Sequence, residues 1–229
     1  MTREEADVSH PRREIEKLIE KGDLKALLYK AGELHGHLCP YLAYGVMAGY
    51  IAMRELNVRS TGMEEIVAIV ETNNCFCDGV QIVTGCTFGN NALIFRDVGK
   101  TAVTVAKRDG TAIRIVLDPD FEKTRPEEYP EAYRLWNKIV VRREKATKEE
   151  HEKLMKLFAE IAIKELNQPF DKVFRISRMK IKVPEYAVHL NRIFIYQTVS
   201  DTVRFITVSL GQATGAELPS PTQEAQLNL

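Results

Sequence analysis

The order of apolar and polar positions divides the chain into segments of different period. From Pro11 the apolar residues Ile15, Leu18 and Ile19 fall at helical spacing. Gly22-Asp23 ends that run, and Asp23 is placed to cap a second helix carrying Leu24, Leu27, Leu28 and Ala31. Pro40 to Leu56 is a long, mostly apolar stretch opened by a proline, whose fixed φ and missing N–H suit the first helical position. Along it Gly45, Ala48, Gly49 and Ala52 recur at three- and four-residue spacing. Each glycine costs a helix about 1 kcal/mol relative to alanine. That stripe therefore predicts a close approach by a neighbouring helix or sheet, or by a ligand. Ile66 to Val70 is continuously apolar, the pattern of a strand buried on both faces. Beyond it, Asp78 is placed as the N-cap of a short helix through Val80, Ile82 and Val83, and Thr84 to Asn91 forms a tight, Gly-rich turn.

Three apolar runs follow, Ala92 to Phe95, Ala102 to Ala106 and Ala112 to Leu117. Gly99-Lys100 and the strong hairpin signal Asp109-Gly110 separate them, which predicts an antiparallel meander. Pro119 to Pro130 reads as a charged connection. Glu131 to Val141 reads as a short helix and Lys148 to Asn167 as an amphipathic one. Val173 to Val183 alternates as a strand does, and 193–196 and 203–208 predict two more. From Gly211 the residues are mainly Gly, Ala, Pro, Ser, Thr and Gln, the composition of a mobile tail or of an arm reaching a partner chain. The fold class expected is α+β, with a mixed or antiparallel sheet packed against helices. The core is placed in residues 1–170, with a C-terminal β segment and tail in 171–229.

Composition narrows the function class more than the fold. Lys+Arg and Asp+Glu are 32 each, so the formal net charge is zero and nothing argues for nucleic acid or an anionic membrane as a partner. No apolar run reaches membrane-spanning length, and the charged N-terminus lacks a signal-peptide core; both point to the cytoplasm. Four cysteines are too few for a disulfide scaffold, and in a reducing compartment clustered cysteines are more often ligands or reactive thiols. There is no phosphate-cradling Gly-rich loop, no Gly-x-Ser-x-Gly elbow and no ferredoxin-type cysteine run.

The chemistry is concentrated in His35-Gly36-His37-Leu38-Cys39-Pro40. With Pro40 opening a helix, Cys39 sits at the positive end of its dipole, where the thiolate is favoured. Imidazole with thiolate is a donor set for zinc or another first-row transition metal such as iron, nickel or copper. Cys75 and Cys77 fall where the buried strand hands over to a helix, a common place for a site. His37, Cys39 and Cys75 lead as metal ligands, with His35 and Cys86 next. His35 can instead orient a ligand through a hydrogen bond, and Cys86 can be a small residue fitting a tight corner. As catalytic groups the candidates are Cys39, Cys75 and Asp78, the last as helix cap or as base. Gln81 lies one turn on, near the same helix face as Asp78. Cys77 is an additional ligand or a small buried residue, Lys100 a hairpin lysine, and His151 and His189 have no partner motif.

These residues form an ordered set: His-Gly-His-x-Cys-Pro with Gly45 beyond it, then Glu71-Thr72-x-x-Cys75-x-x-Asp78-x-x-Gln81, Thr84-Gly85-Cys86-Thr87-x-Gly89, and Asp97-x-Gly99-Lys100. The set resembles the FmdE family, named for one component of molybdenum or tungsten formylmethanofuran dehydrogenase, over about residues 31 to 106. The resemblance implies an α+β core, often a homodimer, with a metal cluster of His and Cys residues. It also implies a role beside molybdenum or tungsten enzyme subunits in one-carbon redox metabolism. Many members add a zinc-finger-like module of paired Cys-x-x-Cys motifs; here Leu190 to Val208 contains no cysteine, and Cys77 is not part of the usual pattern. Two other roles stay open, a metallochaperone or accessory subunit without turnover and a thiol-based redox protein.

Overall fold

A computed structural model describes residues 10–63, 65–184, 192–199 and 202–209. Three helices lead: α1 (Arg13–Lys21), α2 (Leu24–His35) and α3 (Pro40–Leu56). As the sequence predicts, the Asp23 side chain caps α2 by accepting from the Ala26 N–H, and Pro40 occupies the first turn of α3. The chain then forms β1 (Ile66–Val70), α4 (Phe76–Thr84), β2 (Leu93–Phe95), β3 (Ala102–Lys107) and β4 (Thr111–Leu117). Next come α5 (Pro119–Glu128), α6 (Pro130–Trp136), a π-helical turn at Asn137–Val141 and α7 (Lys148–Glu165). The first compact unit closes with α8 (Phe170–Val173) and β5 (Phe174–Lys180).

The sheet is mixed, in the order β2-β1-β3-β4-β5. β1 pairs with β2 in parallel and the other pairs are antiparallel. This corrects the expected meander. β3 and β4 do form the hairpin marked by Asp109-Gly110, but β2 lies on the far side of β1. The reason is α4, which crosses between β1 and β2 and returns the chain parallel to its start. Such a crossover leaves no mark in the apolar runs themselves. β5 pairs with the whole of β4, from Thr111↔Lys180 to Leu117↔Phe174, so this strand is an edge of the core sheet. The boundary of the compact unit falls after Val188, whereas the apolar pattern and composition place the start of the C-terminal extension at residue 171. In the second unit β6 (Arg192–Val199) and β7 (Thr202–Ser209) form an antiparallel hairpin. The expected tail from Gly211 lies outside the described residues.

Two further expectations change. The charged stretch after Pro119 is a helix rather than a connection. Asp118 caps it and Pro119 opens it, and its inner face carries the buried Phe121 and Arg125 instead of an apolar stripe. The glycine stripe of α3 meets a helix, not a ligand. A Cβ at Gly45 would collide with the Phe76 carbonyl oxygen, and one on Gly79 would lie 2.5 Å from Leu42 O and from Val46 N. α3 and α4 thus touch backbone to backbone near their N-termini. α3 is almost wholly buried and packs with one face of the sheet in the main core. Among the described residues no helix is long and apolar enough to cross a membrane.

Candidate metal centre

Two turns build the centre. α2 ends at His35, and Gly36, at φ +88°, supplies the left-handed conformation that closes it. The chain bends through His37 and becomes extended at Cys39, the N-cap of α3. On the opposite side β1 hands over to α4 through residues 71–75, with Cys75 as the N-cap. Asn74 pins this turn by accepting from the Phe76 N–H at 3.0 Å and donating to Thr101 Oγ1 at 3.3 Å. Each cysteine therefore sits at a helix N-terminus, and the glycine contact between α3 and α4 brings the two N-termini together.

One ligand atom from each of His35, His37, Cys39 and Cys75 lies within 4.8 Å of all the others. Tetrahedral zinc bonds of about 2.0–2.3 Å would place donors about 3.3–3.8 Å apart, so a small contraction closes the set. His35 Nδ1 is 2.7 Å from Asp78 Oδ2, and Gln81 Nε2 donates to Asp78 Oδ1 at 2.9 Å. His35 Nε2 is buried without a hydrogen-bond partner. A buried imidazole nitrogen with no partner is costly unless something takes its lone pair. A cation held by two nitrogens and two sulfurs fits that requirement.

The electrostatics divide the thiols into unlike members. A hydrogen bond from Cys39 pulls the Cys75 thiol down to about 6, against burial, and His35 adds to the shift. Cys39 is raised by that same hydrogen bond, by burial and by the Cys75 charge, although the Leu42 and Tyr41 N–H groups of α3 oppose this. The pair thus holds one proton tightly and releases the other early. Burial, and then the neighbouring His35, lower the pKa of His37, which favours its neutral, ligating form.

The remaining candidates fall elsewhere. Cys86 is buried in the turn after α4, its sulfur facing Ile66 O at 3.7 Å, and burial pushes its thiol up to about 11. It is not among the four converging residues, so its reading as a ligand is corrected in favour of a small residue in a tight corner. Cys77 turns away as well. Its thiol donates to Thr72 O, and burial with the Asp78 and Cys75 charges pushes it up to about 12. Asp78 is not the N-cap of α4, a position held by Cys75; it lies in the first turn and takes His35 as its partner. Lys100 lies in the exposed loop before β3, and His151 is exposed on α7. His189 lies outside the described residues. Sequence reasoning missed Tyr41, whose hydroxyl donates to Glu122 of α5 and feels the Cys75 charge. Its only local signal is a polar hydroxyl in the first turn of an apolar helix.

A family model described as "FmdE, Molybdenum formylmethanofuran dehydrogenase operon" matches residues 34–175. A protein of Archaeoglobus fulgidus described as a probable S-adenosyl-L-methionine-binding protein is 41% identical over 169 residues. That match covers 72% of this chain but 45% of the relative, so the chain spans less than half of that protein's length. Among solved structures, an FmdE-like protein of the tungsten formylmethanofuran dehydrogenase type from Syntrophus aciditrophicus aligns with a TM-score of 0.51. It covers 80% of this chain and 85% of its own at 23% identity, a likeness of fold.

Proposed function

Because the chain belongs to the FmdE family, we propose that it is a metal-binding protein serving molybdenum- or tungsten-dependent one-carbon redox metabolism of the formylmethanofuran dehydrogenase kind. The observation that carries the metal reading is the convergence of His35, His37, Cys39 and Cys75 around the unpartnered His35 Nε2. Two thiolates and two imidazoles suit zinc among the first-row metals. In this role Cys39 and Cys75 supply the negative charge, His35 and His37 the nitrogen donors, and Asp78 the acceptor that keeps the His35 proton on Nδ1. The link to one-carbon metabolism rests on the description of the family. A homodimer in the cytoplasm, working beside molybdenum or tungsten enzyme subunits, completes the reading.

The presence of four protein donors rather than three supports a second reading, an accessory or metallochaperone role without turnover. Metal analysis of the full chain, reconstituted with zinc under reducing conditions, tests the reading common to both. About one equivalent per chain is expected. It should be lost in a Cys39→Ala/Cys75→Ala double variant and kept in Cys86→Ala. A folded wild-type protein that retains no metal overturns the proposal.

A further inference from the structure

We propose that the four donors are unequal: His35, Cys39 and Cys75 form a fixed seat, and His37 is a displaceable donor whose place a small thiolate ligand takes. This rests on the metal-binding reading above and adds to it where a ligand enters and of what kind.

Three donors are held from behind. His35 is tied through Nδ1 to Asp78, which Gln81 holds in turn, and only 13% of its side chain is exposed. Cys39 and Cys75 are N-caps of two helices locked together at Gly45 and Gly79, so neither sulfur moves without its helix. His37 has no comparable support. It lies on the bend between α2 and α3 and is partly exposed. Among the described residues, no group hydrogen-bonds either of its ring nitrogens. Its ring lies 4.3 Å from that of His35, centroid to centroid, tilted by 39°. A ligating imidazole is fixed in tautomer and direction by what its other nitrogen touches. Without that restraint, rotation about its side-chain bonds carries His37 towards solvent at little cost.

The vacated position favours one kind of donor. It faces two helix N-termini, whose partial positive charge favours an anion. Two of the three remaining donors are thiolates, a soft set that favours a soft fourth. Cys75, half-buried beside His37, marks the side from which such a ligand arrives. In the exchange the metal–nitrogen bond to His37 breaks and a metal–sulfur bond forms. The thiol proton passes to solvent, and nothing is oxidised or reduced.

Cobalt(II) titration of the full chain, with 2-mercaptoethanol as the thiol probe and acetate as a hard-anion control, tests this. His37→Ala should keep cobalt with affinity within about tenfold of wild type, while His35→Ala and Cys39→Ala should lose more than about a hundredfold. The thiol should raise the sulfur-to-cobalt charge-transfer band of wild type by about half, as two sulfur donors become three. It should bind His37→Ala more tightly than wild type, and acetate should change neither spectrum. The wild-type response needs no variant to fold, and His37→Gln gives a second variant of similar bulk. If His37→Ala and His37→Gln lose cobalt as fully as Cys39→Ala, or if the thiol leaves wild type unchanged or acts no better than acetate, this inference is overturned while metal binding stands. A wild-type protein that takes up no cobalt overturns both.

Discussion

At the scale of single residues, Cys75 and Asp78 carry the sharpest consequences. In the metal-free protein Cys75 titrates at about 6, chiefly because Cys39 donates to it. Alkylation by iodoacetamide requires the thiolate. Its rate at Cys75 should therefore be near its plateau at pH 7.5 and fall by half as pH drops through about 6, read by mass spectrometry of the labelled peptide. Cys39→Ala removes the largest cause and should move that midpoint upward. Cys86 and Cys77, pushed up to about 11 and about 12, should stay unlabelled over the same range. Asp78→Ala removes the acceptor of the His35 ring proton. A carboxylate behind a ligating histidine is worth about 10–100-fold in metal affinity. Chelator competition should show a loss of that size with the fold intact. An unchanged affinity would mean that His35 needs no such partner.

Among the elements, the pairing of α3 with α4 decides the site. The sequence shows the glycine stripe and shows that something must come close, but several neighbours meet that need equally. Only the packed structure identifies α4 as the neighbour and shows that the contact lies beside the two N-caps. Gly45→Ala places a methyl group against the Phe76 carbonyl, which is backbone and cannot rotate away. Overpacking of this kind costs about 1–3 kcal/mol, occasionally more. Urea unfolding should report that loss, and metal affinity should fall with it because the two N-caps are pushed apart. A variant with full stability and altered affinity would place the strain in the site alone.

For the compact unit as a whole, a buried polar network ties the C-terminal end of α7 to α3, α5 and the chain just before α6. Glu165, fully buried, accepts from Tyr44 at 2.9 Å, from Arg125 Nη1 at 2.9 Å and from Tyr129 at 2.7 Å. Arg125 also lies over the Phe121 ring, 4.1 Å from its centroid, and pairs with Glu128. Removing one partner of a buried ion pair strands the other, at a cost of about 3–5 kcal/mol. Glu165→Ala should therefore destabilise the protein by that amount in urea unfolding, far more than Glu160→Ala on the exposed face of the same helix. Apolar periodicity marked α7 as amphipathic but said nothing of this network, because a buried glutamate reads as surface until its partners, 36 to 121 residues away, are in place.

What the chain determines by itself is set over a few residues. Asp23 caps α2, Pro40 opens α3 and places Cys39 at its N-terminus, and Asp109-Gly110 turns the β3–β4 hairpin. Each follows from steric preference or from a side chain reaching its own backbone. The donor types were legible in the same way, since His-x-His-x-Cys needs no fold to be noticed. Tertiary structure alone decided which cysteine joins that trio, that Cys86 and Cys77 turn away, that Asp78 backs His35 instead of capping α4, and that β2 runs beside β1. Those outcomes depend on distances between segments far apart in sequence. Such distances are fixed by how closely two helices can pack and by which strand a crossover returns to, and neither is written in local periodicity.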